Sequence, residues 1–592
     1  MTDSHLIELT GPAASAPYSF WTEGRLRAFF RSLSIILGFL EAWAHRHYLN
    51  QLDGISYLDM ADAYIRADWG MALNGLWSPL YSWILGLAML AVKPSPYWEF
   101  ATLQAVNFAV FLFALFCFEF FLNELMRCDR DQAAKDRGHP HAFSPERLWP
   151  ALGYPLFIWS SLRWIYIFEP CPDLCLSAFI YLACGLVLRI RGGDDRWRTF
   201  AFLGAILGLG YLTKAPMFIL GFVFLLVSLF SAGNIRRTFP RVLTALVIFL
   251  LIGGPLIVAL SRTKGRLTFS DAARLNYIWH VNDLNVGWNN WPHWKQGLGN
   301  GIPLHTSRKI FDEPAVYEFA TPVGGTYPMW YDPSYWYDGV SPRFNITEQK
   351  EELKETASFY YNFFFLGPQC GLIVGLLLLY FMFCNGRSCL KYMARHWHLL
   401  IPPALAMSMY GLVHVEARYI GAYVVVLWLA LFSGLYPLVD ERKGELMYGV
   451  IRALKTVFLV AIAFSIVPAA YTTARGLITG KDASANVHWQ IADELMRMGL
   501  EPGDKIAIIG YGQGASVWAR LARAQIIAET LRGDVNTFWA TDETVKSQVI
   551  DTFARTGARI IVAEKGVCGP PPPGWQKMES AGYYVYFLPG GS

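Results

Sequence analysis

The chain has 592 residues, of which 54% are hydrophobic and 16% charged, where a soluble protein carries about 25% charged residues. That balance excludes an ordinary soluble enzyme, and a formal charge of +4 spread between apolar runs offers no basic patch to nucleic acid. Nine scattered cysteines argue against a disulfide framework; Cys171 and Cys175 are the one candidate pair, with small apolar helix-end residues the favoured reading. The N-terminal residues lack a short apolar core before a small-residue cleavage site, so no removable signal peptide is expected.

Residues 1–28 read as a cytoplasmic segment, followed by a transmembrane region over 29–475. Within it, apolar runs near twenty residues recur, each closed by arginine or lysine and long enough to cross a hydrocarbon core as a helix. Basic clusters mark the cytoplasmic ends: Arg25, Arg27 and Arg31; Arg127, Arg130, Lys135 and Arg137; Arg189, Arg191, Arg196 and Arg198; Arg236, Arg237 and Arg241; Arg387, Lys391 and Arg395; Arg442 and Lys443. Between two such clusters the number of crossings must be even.

Three apolar runs, Phe29–Trp43, Leu76–Val92 and Phe100–Leu122, precede the second cluster, where parity admits two crossings. The middle run is assigned as a membrane-dipping helix inside an outer loop over 50–98, because Ser78-Pro79 opens it and Lys93-Pro94 closes it. The rival assignment, with the first run not crossing because it is short and holds Glu41, puts Asp53 in the cytoplasm. Further spans fall at Leu148–Phe168 and Leu174–Leu188. The run Phe200–Phe230 is about 46 Å as one helix, too long for a core of about 30 Å. Lys214-Ala215-Pro216 is expected to break it into two short spans, with Lys214 at the outer turn. Later spans are expected at Val242–Leu260, Asn362–Cys384, Leu399–Val413, Tyr419–Val439 and Val450–Ala470.

The fold class is thus an α-helical polytopic membrane protein of about eleven crossings, with an inside N-terminus. Residues 261–360 exceed ordinary loop length and form an outer-face insertion. Its tryptophans, 279, 288, 291, 294, 330 and 336, could stack on sugar rings, with an interfacial aromatic belt the favoured reading. Beyond the last span, 482–592 alternates helix-like and strand-like segments: helices at His488–Met498, Ala515–Ala522 and Thr544–Thr556, strands at Lys505–Ile509, Gln525–Ala528, Arg559–Ala563 and Tyr583–Leu588. This is a small α/β domain outside the membrane. Its Gly510-Tyr-Gly512-Gln-Gly514 has the wrong spacing for a dinucleotide fingerprint and reads as a tight strand-to-helix turn.

The first outer loop holds Asp53-Gly-Ile-Ser-Tyr57-Leu-Asp59-Met-Ala61-Asp62 and then Ser78-Pro79-Leu-Tyr81. Glu169-Pro-Cys-Pro-Asp173, Gly208-Leu-Gly-Tyr-Leu-Thr-Lys214 and His414-Val-Glu416-Ala-Arg418-Tyr419 follow at further predicted outer ends. In order and spacing these motifs resemble the GT-C glycosyltransferases, especially the dolichyl-phosphate-mannose protein mannosyltransferase-like group that includes bacterial lipid A aminoarabinose transferases. The resemblance covers the membrane region to about residue 475. It implies a polyprenyl-phosphate sugar donor, a lipid, glycan or protein acceptor, and a catalytic carboxylate in the first outer loop, at Asp53. That group often has an acidic pair where this chain has Asp53-Gly54, which leaves open a share for Asp59 or Asp62.

The chemistry asks for the same groups. Transfer from a sugar phosphate needs a base for the acceptor proton while the anomeric carbon becomes cationic, and Asp53 suits both needs. The departing phosphate needs cations, for which Arg163, Lys214 and Arg418 stand near outer helix ends. Tyr57, His414 and Glu416 are substrate-contact candidates, His414 and Glu416 alternatively pairing with Arg418. Glu169 and Asp173 are read as orienting the acceptor, assisting the base or holding a divalent cation, with a helix N-cap the alternative for Asp173. No cluster has closed metal-site spacing, and no cofactor is firmly implied. Solvated carboxylates and cations at a membrane interface are the plain alternative for each residue. The expected setting is the bacterial inner membrane, with the sugar moved at its outer face; a transporter or flippase of lipid-linked sugars is the rival class.

Overall fold

The computed structural model describes residues 22–47, 49, 52–135, 145–283, 301–367, 369–383, 394–435, 471, 474–475, 487–566 and 573–589. The predicted span Val450–Ala470 and Trp288, Trp291 and Trp294 lie outside the described residues. The first helices are α1 (Glu23–Ala44), α2 (Asp53–Ile65), α3 (Pro79–Val92) and α4 (Pro96–Lys135). Thr22 caps α1 by accepting from the Arg25 amide. Arg27 donates to Asn123 and Arg31 pairs with Glu119 on α4, while His47, just past α1, lies against Tyr97 and Trp98 at the start of α4. The two helices therefore run antiparallel over the whole of α1, which at 22 residues is about 33 Å long. With 14 residues, α3 reaches only about 21 Å, short of a hydrocarbon core of about 30 Å.

Next come α5 (Pro145–Trp159), continued by one wide turn at Ser160–Trp164, then α6 (Asp173–Arg191), α7 (Trp197–Thr213), α8 (Met217–Ser231) and α9 (Ile235–Lys264). The expected break falls between α7 and α8, where Lys214 is extended at φ −156° and ψ 129° and Pro216 precedes the next helix. Every residue of α6 except Arg189 and Arg191 is buried: it is the central post of the bundle. By contrast α9 leaves Leu243, Val247, Leu251 and Val258 exposed, the surface of a helix whose solvent is lipid. The described residues include three helices long and apolar enough to cross a membrane, α4, α6 and α9. The insertion closes with α10 (Ile346–Tyr361), and after it follow α11 (Gln369–Phe383), α12 (Trp397–Gly411) and α13 (Ala417–Leu435).

Arginines sort the two ends of the bundle. Arg27, Arg31 and Arg189 meet Asn123, Glu119 and Glu124 at one end. The segments that carry Asp53, Asp173, Lys214 and Arg418 lie at the opposite helix ends.

Outside the bundle the chain builds a sheet from β1 (Arg308–Phe311), β2 (Val316–Glu318), β3 (Lys505–Gly510), β4 (Gln525–Leu531), β5 (Ile560–Glu564), β6 (Gln576–Lys577) and β7 (Tyr583–Phe587), in the order β1-β2-β4-β3-β5-β7-β6. Strands β4, β3 and β5 are parallel, and β3 is buried beyond Lys505, as parallel strands covered on both faces are. The covering helices are α14 (Val487–Arg497), α15 (Gly512–Leu521) and α16 (Glu543–Arg555), close to the helices expected. Strands β1 and β2 come from the insertion, and β2 pairs antiparallel with β4, Tyr317 opposite Glu529. Insertion and C-terminal region thus share one sheet, a pairing the sequence reading did not anticipate.

Candidate functional site

The site gathers at the open ends of α2, α6, α7 and α13. Asp53 is the first residue of α2, and Pro170 packs against the next position: a Cβ on Gly54 would stand 2.3 Å from Pro170 Cγ. The glycine in place of a second acid is therefore imposed by the Glu169–Asp173 loop, which this contact seats beside Asp53. Arg418, at the start of α13, is the hub. Its guanidinium meets Glu416 at 2.6 Å, Asp53 at 3.6 Å and Asp173 at 3.9 Å. Lys214, at the break after α7, donates to Asp173 at 2.5 Å and lies 3.8 Å from the Tyr419 ring centroid, a cation–π contact. Asp173, with a side chain 1% exposed, thus holds both cations next to Asp53. The N-cap position of α6 is held by Pro172 and Asp173 is the first helical residue, so the N-cap alternative is not the one realised.

Among the described groups, burial raises the Asp53 carboxyl above its ordinary range; Arg418 opposes, Glu416 adds to the rise, and the Trp330 hydrogen bond and Lys214 oppose. Burial pushes Glu169 up to about 7, against Arg418 and with help from Asp173, Glu416 and Asp53. Burial also works to raise Glu416, but hydrogen bonds and charge from His414 and Arg418 outweigh it and hold the group well below the carboxylate range. His414 stands 3.4 Å from Glu416 and stacks on His280 of the insertion at 3.8 Å between ring centroids. Tyr57, one turn beyond Asp53, is buried, packs on Trp77 and Tyr81, and lies within electrostatic reach of Asp53 and Asp173.

The structure therefore brings together Asp53, Tyr57, Glu169, Asp173, Lys214, His414, Glu416 and Arg418. Three expected residues stand elsewhere. Arg163 sits on the wide turn after α5, and its charge acts on Glu41. Asp59 and Asp62 both accept from Arg520 Nη1, at 2.8 and 2.6 Å. Asp59 also accepts from the Thr326 amide and hydroxyl at 2.7 and 2.8 Å. That places them in the seam with the sheet domain, about 9 Å or more along α2 from Asp53, their charge already spent on an arginine.

Trp330 was absent from the expected site. Its indole N–H donates to Asp53 Oδ1 at 3.3 Å, and its ring meets those of Trp77 and Trp279. Trp336 is buried with its N–H on the Pro328 carbonyl. These tryptophans fold inside the insertion, so the belt reading does not hold for Trp279, Trp330 and Trp336; sequence gave no signal for it beyond their number. Cys171 and Cys175 are buried free thiols. Among the described residues no group of three or more His, Cys, Asp or Glu could hold a metal ion. At the glycine turn, the Tyr511 amide is taken by Glu564 at 2.9 Å, and a Cβ on Gly512 would meet Glu529 at 1.9 Å; carboxylates stand where a dinucleotide would bring phosphate.

A family model for dolichyl-phosphate-mannose-protein mannosyltransferases matches residues 157–257. This stretch is similar to the sequence of that family. It carries Glu169, Asp173 and Lys214 of the site just described, and also Arg163. No curated protein matches the chain. Among solved structures, ArnT from Cupriavidus metallidurans in the apo state is 12% identical, with 91% of this chain and 92% of that chain covered and a TM-score of 0.46. The same protein bound to undecaprenyl phosphate gives 12%, 91%, 92% and 0.47. The Archaeoglobus fulgidus oligosaccharyltransferase in complex with Zn and sulfate gives 12%, 91%, 68% and 0.45. At this distance the likenesses bear no weight on the roles of individual side chains.

Proposed function

We propose that the chain is an inverting membrane glycosyltransferase that moves a sugar from a polyprenyl-phosphate donor to a lipid, glycan or protein acceptor at the outer face of the bacterial inner membrane. The observation that carries the reading is Asp53 set 3.6 Å from Arg418, with Lys214 and Arg418 both tied to Asp173. A base and a pair of cations then stand within one small volume at the helix ends that this reading places at the outer face. In this reading Asp53 takes the proton from the acceptor nucleophile, whose oxygen or nitrogen bonds to the anomeric carbon. The bond from that carbon to the phosphate oxygen breaks on the opposite face, and the oxygen leaves with the electron pair. Lys214 and Arg418 stabilise the anion that forms, an electrostatic contribution larger in a low-dielectric site than in water. Tyr57, Trp77 and Trp330 wall the carboxylate with aromatic faces of the kind sugar rings pack against. His414 and Glu416 keep Arg418 oriented. The topology of about eleven crossings with an inside N-terminus belongs to the same proposal.

The test is purified protein in liposomes given polyprenyl-phosphate sugars and envelope lipid and glycan fractions, read by mass spectrometry. A new glycosidic product appearing in step with free polyprenyl phosphate is expected. Movement of donor across the bilayer with no new bond would overturn the reading in favour of a flippase.

A further inference from the structure

Residues 326–331 of the insertion run alongside α2 and touch it repeatedly. Thr326 gives its amide and hydroxyl to Asp59. Ser56 donates to the Trp330 carbonyl at 3.1 Å, Trp330 donates to Asp53, and Asn74, beyond α2, donates to the Tyr331 carbonyl. The same six residues are fastened to the sheet domain. The Ile526 amide of β4 donates to the Thr326 carbonyl at 2.9 Å, and Tyr327 donates to Glu529 at 2.9 Å. From the other side Arg520 of α15 reaches Asp59, Asp62 and Glu99, and Arg523 reaches Glu99 at 2.7 Å. Asp59 is the junction: membrane helix, insertion and sheet domain all meet on its carboxylate, which is 5% exposed.

We propose that Thr326–Tyr331 is a splint through which the sheet domain positions the Asp53 carboxylate, with Trp330 and Thr326 as positioning residues and Arg520 as the anchor. The geometry points to an action on Asp53 because the bond from Trp330 is made by the same short segment whose other end, Thr326, is held by β4 and by Asp59, the carboxylate that Arg520 in turn fixes. Trp330 is one of several groups facing Asp53. Arg418 and Glu416 approach from the start of α13, Lys214 from the end of α7, Asp173 from the start of α6, Glu169 from the loop before it, and Tyr57 from α2 itself. All except Trp330 belong to the bundle or its loops, so among these groups Trp330 is the one that the splint ties to the sheet domain. Its bearing on catalysis rests on the reading of Asp53 as base.

The experiment follows the protonation of Asp53 directly, by pH-difference infrared spectroscopy of the full chain in lipid nanodiscs, using Asp53→Asn to identify its carboxyl band. Trp330→Phe removes the donor and keeps the ring, so the Asp53 midpoint is expected to rise by about one pH unit. Thr326→Val and Arg520→Lys, which loosen the splint at its far end without emptying the seam, are expected to shift it in the same direction by less. A midpoint unmoved by Trp330→Phe overturns the proposal. So does one moved by Trp330→Phe but by neither distant variant, since the domain then has no hold on the site. If Asp53→Asn transfers sugar at the normal rate the catalytic reading fails, and the titration result still decides the splint.

Discussion

Replacing Arg520 by methionine tests how the sheet domain is held. Arg520 is 6% exposed and is the cation shared by Asp59, Asp62 and Glu99, whose side chains are 5%, 30% and 1% exposed. Glu99 keeps Arg523 at 2.7 Å and Asp62 can turn to water, but Asp59 is left with only the two Thr326 donors. Removing one partner of a buried ion pair costs about 3–5 kcal/mol, because the remaining charge is neither solvated nor paired. Methionine matches the length of the arginine stem, so cavity formation adds little. Urea unfolding of the sheet domain in nanodiscs, followed by pulse proteolysis, should show a loss in that range. Adding Asp59→Asn should restore part of it, since a neutral amide needs no counter-charge. A loss below about 1 kcal/mol, the value of an exposed pair, would refute the claim that this network is a buried clamp.

Other outcomes follow from the site. Gly54→Ala places a methyl 2.3 Å from Pro170 Cγ, an overpacking expected to cost about 1–3 kcal/mol and to push the Glu169–Asp173 loop from Asp53; thermal unfolding measures it. On the proposed reading, Lys214→Met should weaken binding of a polyprenyl phosphate by about 10-fold or more, the worth of one charged hydrogen bond, and isothermal titration reads that directly. Glu169 has its midpoint raised to about 7 by burial, so below that pH the folded state holds a proton that the unfolded chain releases until about 4.5. Stability from this group therefore grows as pH falls from about 7 to 4.5 and is lost as pH rises through 7. Glu169→Gln should flatten that part of the stability profile.

Much of this architecture was legible because its causes are local. The break at Lys214–Pro216 follows from helix length and a proline, and the strand at 505–510 from an apolar run between turns. The grouping of Asp53, Asp173, Lys214 and Arg418 followed from placing charged residues at the same helix ends by parity. What could not be read depends on partners far along the chain. Asp59 looks like a second acid in a catalytic loop until Arg520 is seen 2.8 Å away. One signal was available: Arg520 stands in Ala515-Ser-Val-Trp-Ala-Arg520-Leu, a helix otherwise poor in charge, where a cation needs a buried counter-charge. Strands β1 and β2 are four and three residues long, and β2 pairs with a strand some two hundred positions away, which no local periodicity reports. Trp330 was one aromatic among many until the fold set it against Asp53.

The central claim is that Asp53 takes the acceptor proton, and single-turnover transfer by Asp53→Asn tests it most directly. With donor prebound in proteoliposomes and acceptor added in excess, the variant should bind polyprenyl phosphate much as the parent does while its transfer rate falls by about 100-fold or more. A transfer rate within a few-fold of the parent would contradict the account.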